Sequence, residues 1–240
     1  MNQPGNRVVV ITGAASGIGH ATAELFRDLG DTVLGLDIRD TVPDGVTYVE
    51  CNVGDKAAVD AAIEQCAVHG RIDVLANVAG IVQFGRIESV TEEEWDRVHA
   101  VDLKGPFFLI QAALPHLRAC GGTVVNVSSV AGNVAQPYAT AYAAAKGGLT
   151  HLTRSLALEL SPEGIRVNLV SAGPIRTTAA KSIPGFESME GGWPERAPLG
   201  WDVTDPEPTA RAVAALLSDW FPATTGEIVH VDGGVHAMGQ

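Results

Sequence analysis

A doubly wound α/β architecture, one parallel sheet with helices on both faces, is what this sequence predicts, and three observations lead there. Short apolar runs rich in β-branched residues recur along the chain, continuous rather than alternating, which suits strands buried on both faces of a parallel sheet. Helical patterns separate them, as right-handed crossovers require. A glycine-rich turn joins the first run to the first helix. With 240 residues, 46% of them hydrophobic, the chain has enough apolar material for one core and is expected to form a single domain over 1–240.

The strands are expected at Arg7–Ile11, Thr32–Leu36, Thr47–Glu50, Val74–Asn77, Thr123–Ser128, Arg166–Ser171 and Ile228–Val231. The helices fall near Gly17–Leu29, Lys56–His69, Glu92–Cys120 with a break or bend around Gly105–Pro106, Ala141–Leu160 and Pro208–Leu217. Between the second and third strands lie only about ten residues, among them Pro43, Asp44 and Gly45, too few for a full crossover helix. From Ser182 to Pro208 the pattern dissolves into prolines and the pair Gly191–Gly192. Long structureless stretches inside compact domains tend to serve function, so a mobile lid is expected over 178–208.

A net charge of −12 repels phosphate backbones and anionic membrane surfaces. Nucleic acid and membrane are therefore poor partners, and a small-molecule substrate is expected. Cys51, Cys66 and Cys120 are scattered, odd in number and lack C-x-x-C spacing, which suits a reducing compartment and indicates neither a disulfide framework nor a zinc site. No leader pattern and no long apolar segment is present, so a cytoplasmic location is expected. His99, His116 and His151 stand isolated on helical patterns and form no ligand set, so no metal is expected.

After the first strand comes Thr12-Gly13-Ala14-Ala15-Ser16-Gly17-Ile18-Gly19, opening a helix. Glycines let the backbone turn sharply and approach a pyrophosphate, the helix N-terminus offers free N–H groups, and Gly19 lets helix pack close to sheet. A dinucleotide cradle in a Rossmann-like fold is the reading, although the spacing is G-x-x-x-G-x-G rather than the common G-x-G-x-x-G. Asp37 ends the second strand, near the interval of about 20 residues at which an acid meets the adenosine ribose diol of NAD. A carboxylate there repels the 2′-phosphate of NADP, and Ser16 places no basic side chain in the loop. NAD is expected over NADP. Arg39 is the dissenting residue, a cation able to swing toward a phosphate.

Tyr142 and Lys146 stand at i and i+4 on the helical pattern and so share one face. A phenol with an ordinary pKa near ~10 is a poor base at neutral pH, and a neighbouring ammonium stabilises its phenolate. Together with the glycine turn and Asp37, further segments matter: Asn77-Val78-Ala79-Gly80, Asn126-Val127-Ser128-Ser129, Asn168–Thr177, Thr225-Gly226 and Val231-Asp232-Gly233-Gly234. In order and spacing, over essentially the whole chain, these elements resemble the short-chain dehydrogenase/reductase family.

The resemblance implies an oxidoreductase moving a hydride between NAD(H) and a secondary alcohol/ketone pair. It makes Tyr142 the general acid/base, Ser129 the hydroxyl that binds the substrate oxygen, and Lys146 the cation that holds the nicotinamide ribose and lowers the Tyr142 pKa. Gly13, Ser16, Gly17, Ile18 and Gly19 would line the pyrophosphate, Asp37 the ribose, and Asn52 with Val53 the adenine. Asn77 would steady the sheet, and Ala79 with Gly80 would leave room beside the cofactor. Ile175 and Thr177 would contact the carboxamide and phosphates. The family's usual Pro-Gly reads Ala172-Gly173-Pro174, and its usual helical Asn, the fourth catalytic position, is Asp102. A homotetramer is implied, pairing through the helices around Gly105–Cys120 and Ala141–Leu160. Two rivals remain: an NADPH-dependent 3-ketoacyl reductase, and a non-catalytic dinucleotide-sensing binding protein that kept the fold but lost turnover. Tyr138, without a lysine partner, reads as a pocket wall, and the apolar Ile81, Val82, Phe84 and Val134, with Gln83 and Gln136 as polar contacts, suggest a largely apolar substrate.

Overall fold

The computed structural model describes residues 6–173, 198–199 and 205–238. Among the described residues, seven strands form one sheet: β1 Val8–Thr12, β2 Thr32–Asp37, β3 Thr47–Glu50, β4 Val74–Asn77, β5 Thr123–Ser129, β6 Arg166–Ala172 and β7 Ile228–Val231. All neighbours are parallel, in the order β3-β2-β1-β4-β5-β6-β7. The helices are α1 Gly17–Asp28, α2 Lys56–Cys66, α3 Glu92–His99, α4 Gly105–Arg118, α5 Thr140–Leu160 and α6 Pro206–Leu216.

Alternate residues of the central strands feed two separate cores, as a period-2 backbone between two helical layers demands. Val8, Val10, Leu34, Leu36, Val124 and Val167 pack with Val59 and Ile63 of α2, Leu109 and Leu117 of α4 and Leu160 of α5. Val9, Ile11, Val33, Val125 and Val170 pack on the other face with Ala23 and Phe26 of α1 and Val213 and Leu216 of α6. The expected strands are all present, and β2 runs to β3 without a helix. Chain order reverses between β1 and β4, and a crevice at such a switch point, outside the carboxyl ends of the strands, is where open α/β sheets bind ligands.

Differences from expectation have local causes. The interruption expected around Gly105–Pro106 is a π turn at Ala100–Lys104, where the Gly105 N–H donates to the Ala100 carbonyl. Pro106 has no N–H for the Asp102 carbonyl one turn back, so the wider turn begins upstream of the proline. Gly105 also lies so close to the Val53 carbonyl that a Cβ would come within 2.7 Å. The last helix starts at Pro206 rather than Pro208, after Asp205 at its N-cap, with proline in the first turn where its missing N–H costs nothing. The lid expected over 178–208 lies almost wholly outside the described residues.

Candidate active site

Gly13 and Gly17 adopt φ of +70° and +58°, the left-handed region that admits glycine without strain. A Cβ on Gly19 would lie 2.2 Å from the Gly13 carbonyl oxygen, and one on Gly13 would lie 3.0 Å from the Ala79 backbone. The loop is therefore folded tightly on itself and against the chain leaving β4, where the Thr12 hydroxyl accepts the Val78 and Ala79 N–H groups at 2.9 and 3.0 Å. Ser16 occupies the N-cap of α1 but makes no side-chain cap hydrogen bond, and the first turn carries no acid. A helix N-terminus left in this state favours an anion, so the loop fits a dinucleotide pyrophosphate.

Asp37 ends β2 nearly buried, its Oδ2 accepting the Ala15 N–H at 3.0 Å and its Oδ1 the Arg39 N–H at 3.1 Å. Ser16 itself supplies no basic group to the glycine loop, but the dissenting cation reaches it. Arg39 crosses from the β2 exit, donating to the Ser16 hydroxyl at 2.9 Å with its Nε 3.8 Å from Asp37 Oδ1. Asn52 is exposed beyond β3 and its amide oxygen accepts the Gly54 N–H at 3.0 Å, while Val53 is buried beside it. Asn77 donates to Asn126 at 2.8 Å across the β4–β5 pair, and Asn126 donates to Thr153 of α5 at 2.9 Å. That buried chain of amides ties the sheet to the helix carrying Tyr142 and Lys146. Ile18 packs from α1 against the core beside Phe26. Ile175 and Thr177 lie outside the described residues.

Ser129, at the end of β5, accepts the Ala131 N–H at 3.2 Å and faces the half-buried Tyr142 phenol of α5. Lys146, one turn further on α5, has its Nζ 5.7 Å from the centre of the Tyr142 ring and donates to the Val127 carbonyl at 3.1 Å. The same ammonium lies 3.0 Å from Asp102 Oδ1 in a pair with side chains only 5% and 0% exposed. The Asp102 carboxylate also accepts the Ile81 N–H, at 3.3 Å to each oxygen. Gly80 makes the pair possible: a Cβ there would stand 2.7 Å from Asp102 Oδ1 and 3.3 Å from Lys146 Nζ. Gly80, expected to leave room beside the cofactor, also leaves room for the ion pair.

Charge and burial compete at this cluster. Burial pushes the Tyr142 phenol up, Lys146 pulls it down, Asp102 pushes it up and Ser129 pulls it down; the net position is above the ordinary phenol value. Lys146 acts on Tyr142 in the expected direction, while burial, the largest influence, and Asp102 leave the phenol above its ordinary value. Burial pulls the Lys146 ammonium down, yet Asp102 and Tyr142 carry it above its usual value. Burial raises the Asp102 carboxyl against the opposing pull of Lys146 and the Ile81 N–H.

Tyr138, expected as a pocket wall, is exposed and holds a strained φ of 65°, a conformation uncommon outside glycine. Gln83 Oε1 and Gln136 Nε2 are buried without a hydrogen-bond partner among the described residues. Thr12 and Asn126 stand in segments that the sequence marks, but their hydrogen-bonding roles follow from cross-strand neighbours that no local spacing reveals.

A family model described as Enoyl-(Acyl carrier protein) reductase matches residues 13–236. The chain is 38% identical to a 3-oxoacyl-[acyl-carrier-protein] reductase, FabG, of Thermotoga maritima, over 95% of this chain and 97% of that protein. Its fold is similar to the ligand-free aldohexose dehydrogenase of Thermoplasma acidophilum, with a TM-score of 0.89, 33% identity and coverage of 98% and 95% of the two chains. It is also similar to a Brucella melitensis 3-ketoacyl-(acyl-carrier-protein) reductase complexed with NADH, with a TM-score of 0.87, 29% identity and coverage of 96% and 98%.

Proposed function

The chain belongs to the short-chain dehydrogenase/reductase family, and from that premise we propose an NAD(H)-dependent oxidoreductase that interconverts a secondary alcohol and its ketone, with Tyr142 as general acid/base. The observation that carries this reading is the convergence of Ser129, Tyr142, Lys146 and Asp102 at the C-terminal margin of the sheet, beside a glycine loop fit for a pyrophosphate. When bound, the nicotinamide supplies or accepts the hydride. The protein's own groups handle the oxygen and its proton.

Ser129 donates a hydrogen bond to the substrate oxygen, and Tyr142 gives a proton to that oxygen in reduction or takes it in oxidation. Lys146 holds the nicotinamide ribose and opposes the rise of the Tyr142 pKa. Asp102 is a positioning residue: it fixes Lys146 under the loop that leaves β4 and adds negative charge near the phenol. Because the phenol sits above its ordinary value, it holds its proton at neutral pH, the form that serves carbonyl reduction. Oxidation draws on the phenolate and rises as pH rises.

Asp37 supports NAD over NADP, since its buried carboxylate repels a 2′-phosphate and its backbone partners hold it in place. Arg39 softens that repulsion. Ile175 and Thr177 are assigned the carboxamide and phosphate contacts, and Asn52 with Val53 the adenine. A small molecule is the substrate, and the chain works in the cytoplasm as a homotetramer. Three free cysteines suit a reducing compartment, and the exposed Phe107 of α4 and Leu158 of α5 suit helices that pair with another copy. Among the described residues no helix is long and apolar enough to cross a membrane.

The 3-oxoacyl reductase relative keeps a second reading open, reduction of a 3-ketoacyl group on a carrier protein. The net charge of −12 opposes an acidic carrier. Rates with a panel of secondary alcohols, ketones and a 3-ketoacyl thioester, each with NAD(H) and NADP(H), test the assignment. Turnover of small ketones with NADH supports it. Turnover confined to the carrier-bound thioester with NADPH would favour the second reading, and NADH binding without turnover of any substrate would favour the non-catalytic sensor.

A further inference from the structure

β7 is the edge strand on the β6 side and, unlike the central strands, is half-buried along its whole length. Its third residue, His230, begins an H-x-D-x-x-x-H run completed by Asp232 and His236. A ligand atom from each of the three lies within 4.8 Å of the others. The two imidazole rings stack with centroids 3.9 Å apart and planes 13° from parallel. His236 Nδ1 meets Asp232 Oδ1 at 3.0 Å and Oδ2 at 2.9 Å. His230 Nδ1 is buried and has no hydrogen-bond partner among the described residues.

We propose that His230, Asp232 and His236 form a binding site for a divalent transition-metal ion of the zinc class. Two imidazoles and one carboxylate are the donor set of borderline N/O-binding ions, not of calcium or magnesium, which prefer oxygen cages. Bonds of about 2.0–2.1 Å place cis ligand atoms ~2.9 Å apart at right angles and ~3.3 Å apart in a tetrahedron. The His236–Asp232 separation already falls at the lower of these. The ion would replace the hydrogen bond of that pair and give an imidazole nitrogen of His230 a partner once the stacked rings turn so that their in-plane lone pairs converge.

The carboxylate is oriented for this role by the backbone. Asp232 Oδ1 accepts the Gly234 N–H at 2.9 Å and Oδ2 the His236 N–H at 2.9 Å, holding both oxygens in the turn. Gly234, at φ +93°, lets the chain reverse so that His236 returns over His230. Hydrogen bonds of this kind orient ligands and raise metal affinity. The turn also abuts the end of β6, where a Cβ on Gly173 would lie 2.7 Å from the Asp232 Cα. A bound ion therefore fastens the C-terminal turn to the sheet edge, two strands from Ser129, whose register partner Ala172 pairs in turn with Val231.

The test uses the full chain without an added histidine tag, treated with EDTA and titrated with ZnCl2 and, separately, MgCl2 by calorimetry, with melting temperatures measured in parallel. The expected result is one zinc ion per chain, a higher melting temperature with zinc, and much weaker magnesium binding. His236→Ala and His230→Ala should each weaken zinc binding by about tenfold or more. His236 is exposed, so its variant decides the matter even if His230→Ala fails to fold by circular dichroism. No saturable zinc binding by the wild-type chain, equal affinity for zinc and magnesium, or undiminished zinc binding by folded His236→Ala would overturn the proposal.

Discussion

Asp102 stands where the family resemblance implies an Asn, and its charge has a measurable sign. Its carboxylate raises the Tyr142 pKa, so Asp102→Asn should lower it and move the acidic limb of the oxidation profile to lower pH. The limb is the loss of activity as the phenolate gains its proton; a lower pKa delays that loss to more acidic solution. Profiles of kcat/KM against pH for the two forms check this, and an unmoved limb, or one moved to higher pH, would reject the charge argument. At Asp37, replacement by Ala should narrow the preference for NAD by removing both the diol contact and the repulsion of a 2′-phosphate, read as the ratio of kcat/KM for the two cofactors. The proximity of Tyr142 and Lys146 was legible because they stand one helical turn apart. The Asp102–Lys146 pair was not, since it forms only where a π turn, helix α5 and the Gly80 loop converge. The position of Arg39 over Ser16 was likewise open until the β2 exit and the α1 start were brought side by side.

Elements were legible in proportion to how far local pattern determines them. Strands buried on both faces announce themselves as continuous apolar runs, and the short β2–β3 connection excludes a crossover helix by length alone. Helix ends depend on caps and packing, which is why α6 begins earlier than its apolar period suggests and why the wide turn lies upstream of Pro106. The tightest element is the glycine loop. Gly19→Ala would drive a methyl into the Gly13 carbonyl, a backbone atom that cannot step aside without moving the cradle. We expect NADH affinity to fall by about tenfold or more and stability to fall by about 1–3 kcal/mol. Fluorescence titration with NADH and urea unfolding measure the two losses. An Ala form that binds NADH normally would show that the loop does not serve as the cradle.

Over the whole molecule, one parallel sheet brings the ends of successive strands to a common margin. Residues far apart in sequence thereby become one site, while the acidic surface disfavours polyanionic partners. The exposed Phe107 and Leu158 lead us to expect a tetramer at micromolar concentration by light scattering; a monomer there would count against the pairing of α4 and α5. The central claim is that this sheet margin transfers a proton through Tyr142 while the nicotinamide exchanges the hydride. Its most direct test is Tyr142→Phe, measured for NADH binding and for turnover of a ketone that the wild-type chain reduces. The variant should bind NADH nearly as the wild type does and lose turnover by about 10²-fold or more, the usual scale of a positioned acid. Near-wild-type turnover by the folded Phe form would contradict the assignment.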